Sequence, residues 1–469
     1  MKSLLLSGFG ININVNGRKL IVYKRQNNEK IEFYPHQIPY DNVIIDGYYG
    51  NISFEALRWL SKHGITLSLL NWNGNLLSVT LPSGPISGRL KIKQYVTYGD
   101  KVKRYEIASK IIETKINKSK ELLIMLSDYY KELYKPEIIK LFNKEIETFQ
   151  NLQKDNVIGR KITLLNPRSL KNNVDFKKIL ENNAILNKNS KNLDKINENF
   201  EKDIEIKKSN RDSQKVIVPN SNNSANIKEN INFLMMCEGR IADYYWKMLS
   251  KVFNKLYPDF NFKQRKNLSY SQGMNASDYV NALLNYGYAI LESVIRKTIN
   301  IIGLDPNIGF LHEINPSKQP LVYDLQELYR WLIDLSVIQV LEDKRLKKSD
   351  FIVTENYHIR LRESAARKLL EKITLNFNKR TEFRGKLHTY DNILLENVRN
   401  LAKYIENNER TLEFDIPKVE ISRNDTNEIR NDIMSITTKE RKRLEINKST
   451  LWYRQKAIKE GKKIKLYNK

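Results

Sequence analysis

Up to about residue 85 the apolar positions come in short alternating or β-branched runs: SLLLSGFGININV, RKLIVYKR, EKIEFYP, NVIIDG, ITLSLLNW and NLLSVTLP. Asn-Gly, Gly and Pro punctuate them, the pattern of strands joined by turns. In NVNGRKL and NWNGNLL the Asn-Gly dipeptides are hairpin signals, because both residues tolerate the positive φ angles of tight turns. Gly8 and Gly10 fall inside a strand run and read as turn or bulge glycines. A single helix, SFEALRWLSKHG, interrupts, with Ser53 placed to cap it and Gly64 after its end. The pattern predicts a small β domain over residues 1–86.

From about residue 89 the period lengthens to that of a helix, and helical patterns continue to about residue 405. One stretch departs from this. Of the 60 residues 171–230, 15 are Asn and 11 are Lys, with no sustained period. Such a composition buries too little apolar surface to offset chain entropy, so it is expected to be a disordered insertion without chemistry in a helical domain spanning 87–410. The last segment, 425–469, offers two short helices about a turn at Glu445–Lys448, with Ser449 as cap and Gly461 as terminator of the second. Residues 437–469 carry 12 basic residues against 3 acids, the signature of a helix-turn-helix-like tail with Lys448–Glu460 as recognition helix.

Charge sharpens this picture. The 469 residues hold 80 Lys+Arg against 54 Asp+Glu, a net charge of +26. A surplus of that size points to a polyanionic partner such as DNA or RNA. The lone cysteine, Cys237, excludes a disulfide framework and cysteine zinc sites, and fits a cytoplasmic protein. No run approaches the roughly 18 apolar residues a membrane helix needs, so no membrane association is expected. Walker glycine loops, HExxH and CxxC are absent, leaving nucleotide hydrolysis and zinc chemistry without support.

Candidate chemistry lies in acids on apolar helix faces. In NFLMMCEGRIADYYW, Leu234, Cys237, Ile241, Ala242, Tyr245 and Trp246 form a stripe that also contains Glu238. A buried carboxylate has to be paired, protonated or bound to a cation. In GFLHEINPSKQPLVYDLQELYRW, Pro320 suits a helix start, and the apolar helix is expected to run on to Glu342. Asp324 and Glu327 share one face at i, i+3, and His312 precedes them across a loop through which it could fold back. Imidazole with carboxylates is a ligand set for Mn²⁺ or Mg²⁺. A salt bridge for Glu238, a capping role for Asp324 and a packed loop His312 account for the same spacing. His36, His63, His358 and His388 have no acid constellation and read as surface or packing residues.

The segments EGRIADYYW, DYVNALLNYGYAILESVIRKTINIIGLDPNIGFLH and LVYDLQELYRW, in that order, resemble the CRISPR-associated adaptation integrases, the endonucleases that insert spacers into CRISPR arrays. SGFGININV, ISFEALRWLSKHGITLSLLNWNG, GRLKIKQY and EIASKIIETKI extend the likeness, which covers roughly 1–120 and 232–410. The resemblance implies an α+β multidomain fold: a small N-terminal β-sandwich-like domain that dimerises, and a mainly α-helical catalytic C-terminal domain. It further implies a divalent metal, Mg²⁺ or Mn²⁺, held by Glu238, His312 and Asp324, with Glu327 as a further catalytic acid. Asn281, Tyr288 and Arg330 fall at supporting positions. The 171–230 insertion and the tail are additions to the family's core, and similar tails occur in the related casposases.

The expected reaction is metal-assisted attack of a DNA 3′-hydroxyl on a target phosphodiester, on double-stranded and branched DNA. Expected partners are a second copy of the chain and a small ferredoxin-like CRISPR adaptation protein. The competing expectations are a casposase integrating a transposon, a branched-DNA repair nuclease, and a non-enzymatic DNA-binding protein acting through the tail.

Overall fold

The computed structural model describes residues 1–71, 73–82, 84, 87–130, 136–157, 222–265, 276–354, 358–409, 411–418 and 448–459. Strands β1 (Ser3–Asn16), β2 (Lys19–Lys24), β3 (Glu29–Phe33), β4 (Asn42–Ile52), β5 (Thr66–Leu70) and β6 (Leu76–Thr80) form one six-stranded sheet in the order β3-β2-β1-β4-β5-β6. β1 runs parallel to β4, and β4 to β5; the remaining pairs are antiparallel. The bulge reading of Gly8 and Gly10 is met. Both have positive φ, +104° and +70°, and the β1–β4 register slips on either side of Phe9.

The first Asn-Gly hairpin forms, but one residue later than the dipeptide suggests. Asn16 still pairs with Lys19, and Gly17 and Arg18 take the left-handed turn conformation. Helix α1 (Phe54–Lys62) begins where Ser53 accepts a hydrogen bond from the Ala56 N–H at 3.1 Å, and Gly64 follows at φ +69°. Alternation along β1 gives the sheet two apolar faces. Leu4 and Leu6 pack with Trp59 and Leu60 of α1 in one core, while Leu5, Ile44 and Leu70 belong to the core of the helical region. Helices thus pack on both faces of the sheet around β1, β4 and β5.

That region contains α2 (Gly88–Gly99), α3 (Lys101–Tyr129), α4 (Pro136–Val157), α5 (Asn222–Leu256), α6 (Tyr279–Ile302), α7 (Pro320–Glu327) and α8 (Arg330–Glu342). Two small ribbons follow: β7 (Phe351–Val353) with β8 (Ile359–Leu361), and β9 (Arg380–Phe383) with β10 (Lys386–Thr389). Helices α9 (Glu363–Asn378) and α10 (Tyr390–Ile405) complete it. Among the described residues no helix is long and apolar enough to cross a membrane.

Three expectations need adjustment. The expected insertion 171–230 lies outside the described residues up to 221, but its last part, from Asn222, is the start of α5. In the tail only helix α11 (Lys448–Lys459) is described; it starts one residue before Ser449, which is inside the helix rather than its cap, and the partner helix lies outside the described residues. The helix from Pro320 is not continuous either. Leu328 and Tyr329 close three-residue bonds to Leu325 and Gln326 carbonyls, at 3.3 and 3.0 Å, and Tyr329 separates α7 from α8. Tyr329 is fully buried, and its hydroxyl accepts from the Asn397 amide at 3.0 Å, a tertiary anchor that helical periodicity does not reveal.

Candidate metal and catalytic site

Four elements converge. The α3 helix supplies Lys115, α5 supplies Glu238, the loop after α6 supplies His312, and α7 supplies Asp324 and Glu327. The loop GFLH is seated on the Asp324 carboxylate. Oδ2 accepts the Phe310 and Leu311 N–H groups at 2.5 and 3.0 Å, and Oδ1 accepts the His312 N–H at 3.0 Å. His312 Nδ1 lies 2.7 Å from the same Oδ1. Gly309 is required here: a Cβ would fall 2.6 Å from Pro320 Cβ and 2.9 Å from Asp324 Oδ2. From the other side Arg104 Nε donates to the Phe310 carbonyl at 3.0 Å, and Gln94 donates to the Asp305 and Ile308 carbonyls at 2.9 and 2.8 Å.

Glu327 and Glu238 meet across a cation. The Lys115 ammonium lies 2.6 Å from Glu327 Oε2 and also contacts Glu238 Oε1. Arg330 reaches Glu327 Oε1 at 3.2 Å. Burial alone would raise the Glu327 carboxyl, but the Arg330 and Lys115 charges outweigh it and hold it at about 2. Burial likewise pushes the His312 imidazole down, and the Asp324 carboxylate overrides it, leaving His312 above its ordinary value. Among the described residues, no three His, Cys, Asp or Glu side chains close on a common point as they stand. Lys115 occupies the space between the two glutamates.

Behind this cluster lies a third buried acid. Asp334 of α8 accepts the hydroxyls of Tyr245 and Tyr288, each at 2.6 Å. Burial pushes its carboxyl up to about 6, against the lowering effect of those hydroxyls. The Tyr288 ring is 5.1 Å from both the Arg265 and Arg330 guanidinium carbons. The Asn281 amide donates to the Gln264 carbonyl and its oxygen accepts from Arg265, tying the chain before α6 to that helix.

The structure thus brings together the three acids and the histidine singled out by spacing, together with Tyr288 and Arg330. Two residues escaped that reading. Lys115 lies four residues after Ile111 and three after Ile112, on the apolar stripe of α3, so a charged group on a buried face was the available signal. Asp334, in RWLIDLSV, carried the same signal within a helix that is apolar all round. His63 stacks on Trp59 with ring centroids 4.0 Å apart, in keeping with its packing role.

A sheet domain is joined to a helical domain in which three acids and a histidine gather, groups of the kind that suit a hard divalent cation. A sequence profile described as CRISPR associated protein Cas1 matches residues 4–160 and 173–374. The chain belongs to the Cas1 family. It is 25% identical over 414 residues to the CRISPR-associated endonuclease Cas1 1 of Archaeoglobus fulgidus, covering 87% of this chain and 97% of that protein. A solved structure of a casposase bound to integration product matches with a TM-score of 0.69 at 31% identity, covering 93% of this chain and 99% of that one. A Cas1 protein from Thermotoga maritima has the same fold, with a TM-score of 0.56 at 15% identity over 88% of this chain and 100% of that chain.

Proposed function

We propose that Glu238, His312 and Glu327 hold one divalent cation, Mn²⁺ or Mg²⁺, and that Asp324 orients His312 instead of ligating. The observation that carries this reading is the 2.7 Å contact between His312 Nδ1 and Asp324, which leaves Nε2 as the nitrogen available to a cation. Asp324 is fully buried, with three backbone N–H groups and the imidazole on its two oxygens, so a cation would have to displace bonds that fix the loop. Glu327 Oε2, by contrast, is buried against the Lys115 ammonium at 2.6 Å, a positive charge that a metal cation can replace. This donor set suits a hard cation, and the imidazole favours manganese. Relative to the family-based expectation, the roles of the two acids on α7 are exchanged.

The reaction is strand transfer in CRISPR adaptation. A 3′-hydroxyl of incoming DNA attacks a target phosphodiester; the new P–O bond forms as the bond to the target 3′-oxygen breaks, and that oxygen leaves as a hydroxyl. When bound by Glu238, His312 and Glu327, a divalent cation would supply polarisation of the phosphoryl oxygen. Arg330 adds fixed positive charge beside Glu327, and the net +26 supports phosphate-backbone binding of double-stranded and branched DNA. A homodimer and a small ferredoxin-like adaptation protein are the partners proposed with this reading, in the cytoplasm. The test is an integration assay with 3′-hydroxyl donor DNA, a supercoiled target and Mn²⁺. Joining that disappears in Glu238→Ala supports the reading; joining that survives overturns it.

A second reading is favoured by the 31% identity to a casposase across 93% of this chain. Donor ends separate the two. Equal use of unrelated short duplexes supports spacer integration, whereas a strong preference for one terminal sequence supports casposon integration.

A further inference from the structure

Lys115 lies where two proposed ligands face each other. Its ammonium is 2.6 Å from Glu327 Oε2 and in contact with Glu238 Oε1, oxygens contributed by helices far apart in sequence. Its charge also stabilises them. Two carboxylates brought together in such a site repel each other, and the ammonium between them offsets that repulsion. Arg330 pairs instead with the other oxygen of Glu327, at 3.2 Å. A divalent cation coordinated by Glu238 and Glu327 would sit about 2.0–2.6 Å from their oxygens, so it and the ammonium compete for one space.

We infer that Lys115 is a built-in counter-cation that holds the glutamates together in the metal-free enzyme and has to leave for the divalent cation to enter. This rests on the ligand set proposed above. Metal loading is then an exchange of one positive charge for another, and the released ammonium becomes accessible at the site.

The inference is tested by Mn²⁺ titration of the full chain, followed by calorimetry or electron paramagnetic resonance. Wild-type protein is expected to bind, and Glu238→Ala and His312→Ala to lose binding. Failure of that pattern overturns the ligand set itself. With the pattern in place, Lys115→Gln is expected to bind Mn²⁺ about tenfold more tightly, and Arg330→Gln at most about threefold, because Arg330 changes the local charge without blocking the space. A Lys115→Gln affinity no higher than wild type, or no higher than Arg330→Gln, overturns the competition while leaving the ligand set standing.

A second measurement avoids any folding defect in the variant. Amine acylation of wild-type protein, read residue by residue by mass spectrometry, is expected to modify Lys115 several-fold faster with saturating Mn²⁺ than without. Unchanged or slower modification overturns the exchange.

Discussion

His312 and Asp324 form one unit: Nδ1 and Oδ1 are 2.7 Å apart, and the same carboxylate carries the backbone of residues 310–312. Asp324→Asn keeps the shape but turns one acceptor into a donor facing N–H groups. We expect a stability loss of about 2–4 kcal/mol by denaturant unfolding. Mn²⁺ affinity should fall about 10–100-fold with it, as for other groups that orient a ligand histidine. Lost affinity with unchanged stability would place Asp324 on the cation itself.

Glu327→Gln should behave in the opposite way. It removes a charge clasped by Lys115 and Arg330 but no backbone anchor, so the fold is expected to persist while Mn²⁺ binding and strand joining disappear. Glu238→Ala and His312→Ala should likewise abolish joining while DNA binding, measured by mobility shift, persists. Full joining activity in any purified variant of the three would refute its role.

Asp334 predicts a pH dependence of stability. Its carboxyl sits at about 6 in the folded chain and near 4 when unfolded, so the folded state holds the proton more tightly. The contribution is fully present below about pH 4 and is lost as pH rises through 6, on the order of 2–3 kcal/mol. Asp334→Asn should flatten that part of the stability–pH curve. An unchanged slope between pH 4 and 6 would contradict it.

Gly287, in α6, lies against α8, and an added Cβ would stand 2.5 Å from Ile333 Cγ2. Gly287→Ala should destabilise by about 1–3 kcal/mol despite its better helix propensity. A higher denaturant midpoint would show that the two helices can move apart.

Removing residues 425–469 separates an enzyme from a protein that works through its tail. Joining on pre-branched DNA is expected to survive the truncation, with weaker duplex binding at raised salt. Loss of joining on that substrate would assign the tail a part in the reaction.

The strand pattern, the α1 cap at Ser53, the bulge glycines and the change of period near residue 89 were legible because each depends on neighbours a few residues away. The acids on apolar faces were legible too, since helical spacing alone places Glu238 and Glu327 on buried stripes. What periodicity could not assign was the use of each acid. Asp324 and Glu327 are three residues apart on one helix and equivalent by pattern, yet one is filled by N–H groups of a distant loop and the other faces two cations. The break at Tyr329 was equally invisible, because it is fixed by Asn397, 68 residues away. Sequence alone determined that Glu238, Asp324 and Glu327 lie on apolar helix faces, as the face a side chain occupies follows local periodicity. Tertiary structure decided their partners, because a carboxylate's role depends on the donors and cations that packing brings within 3 Å.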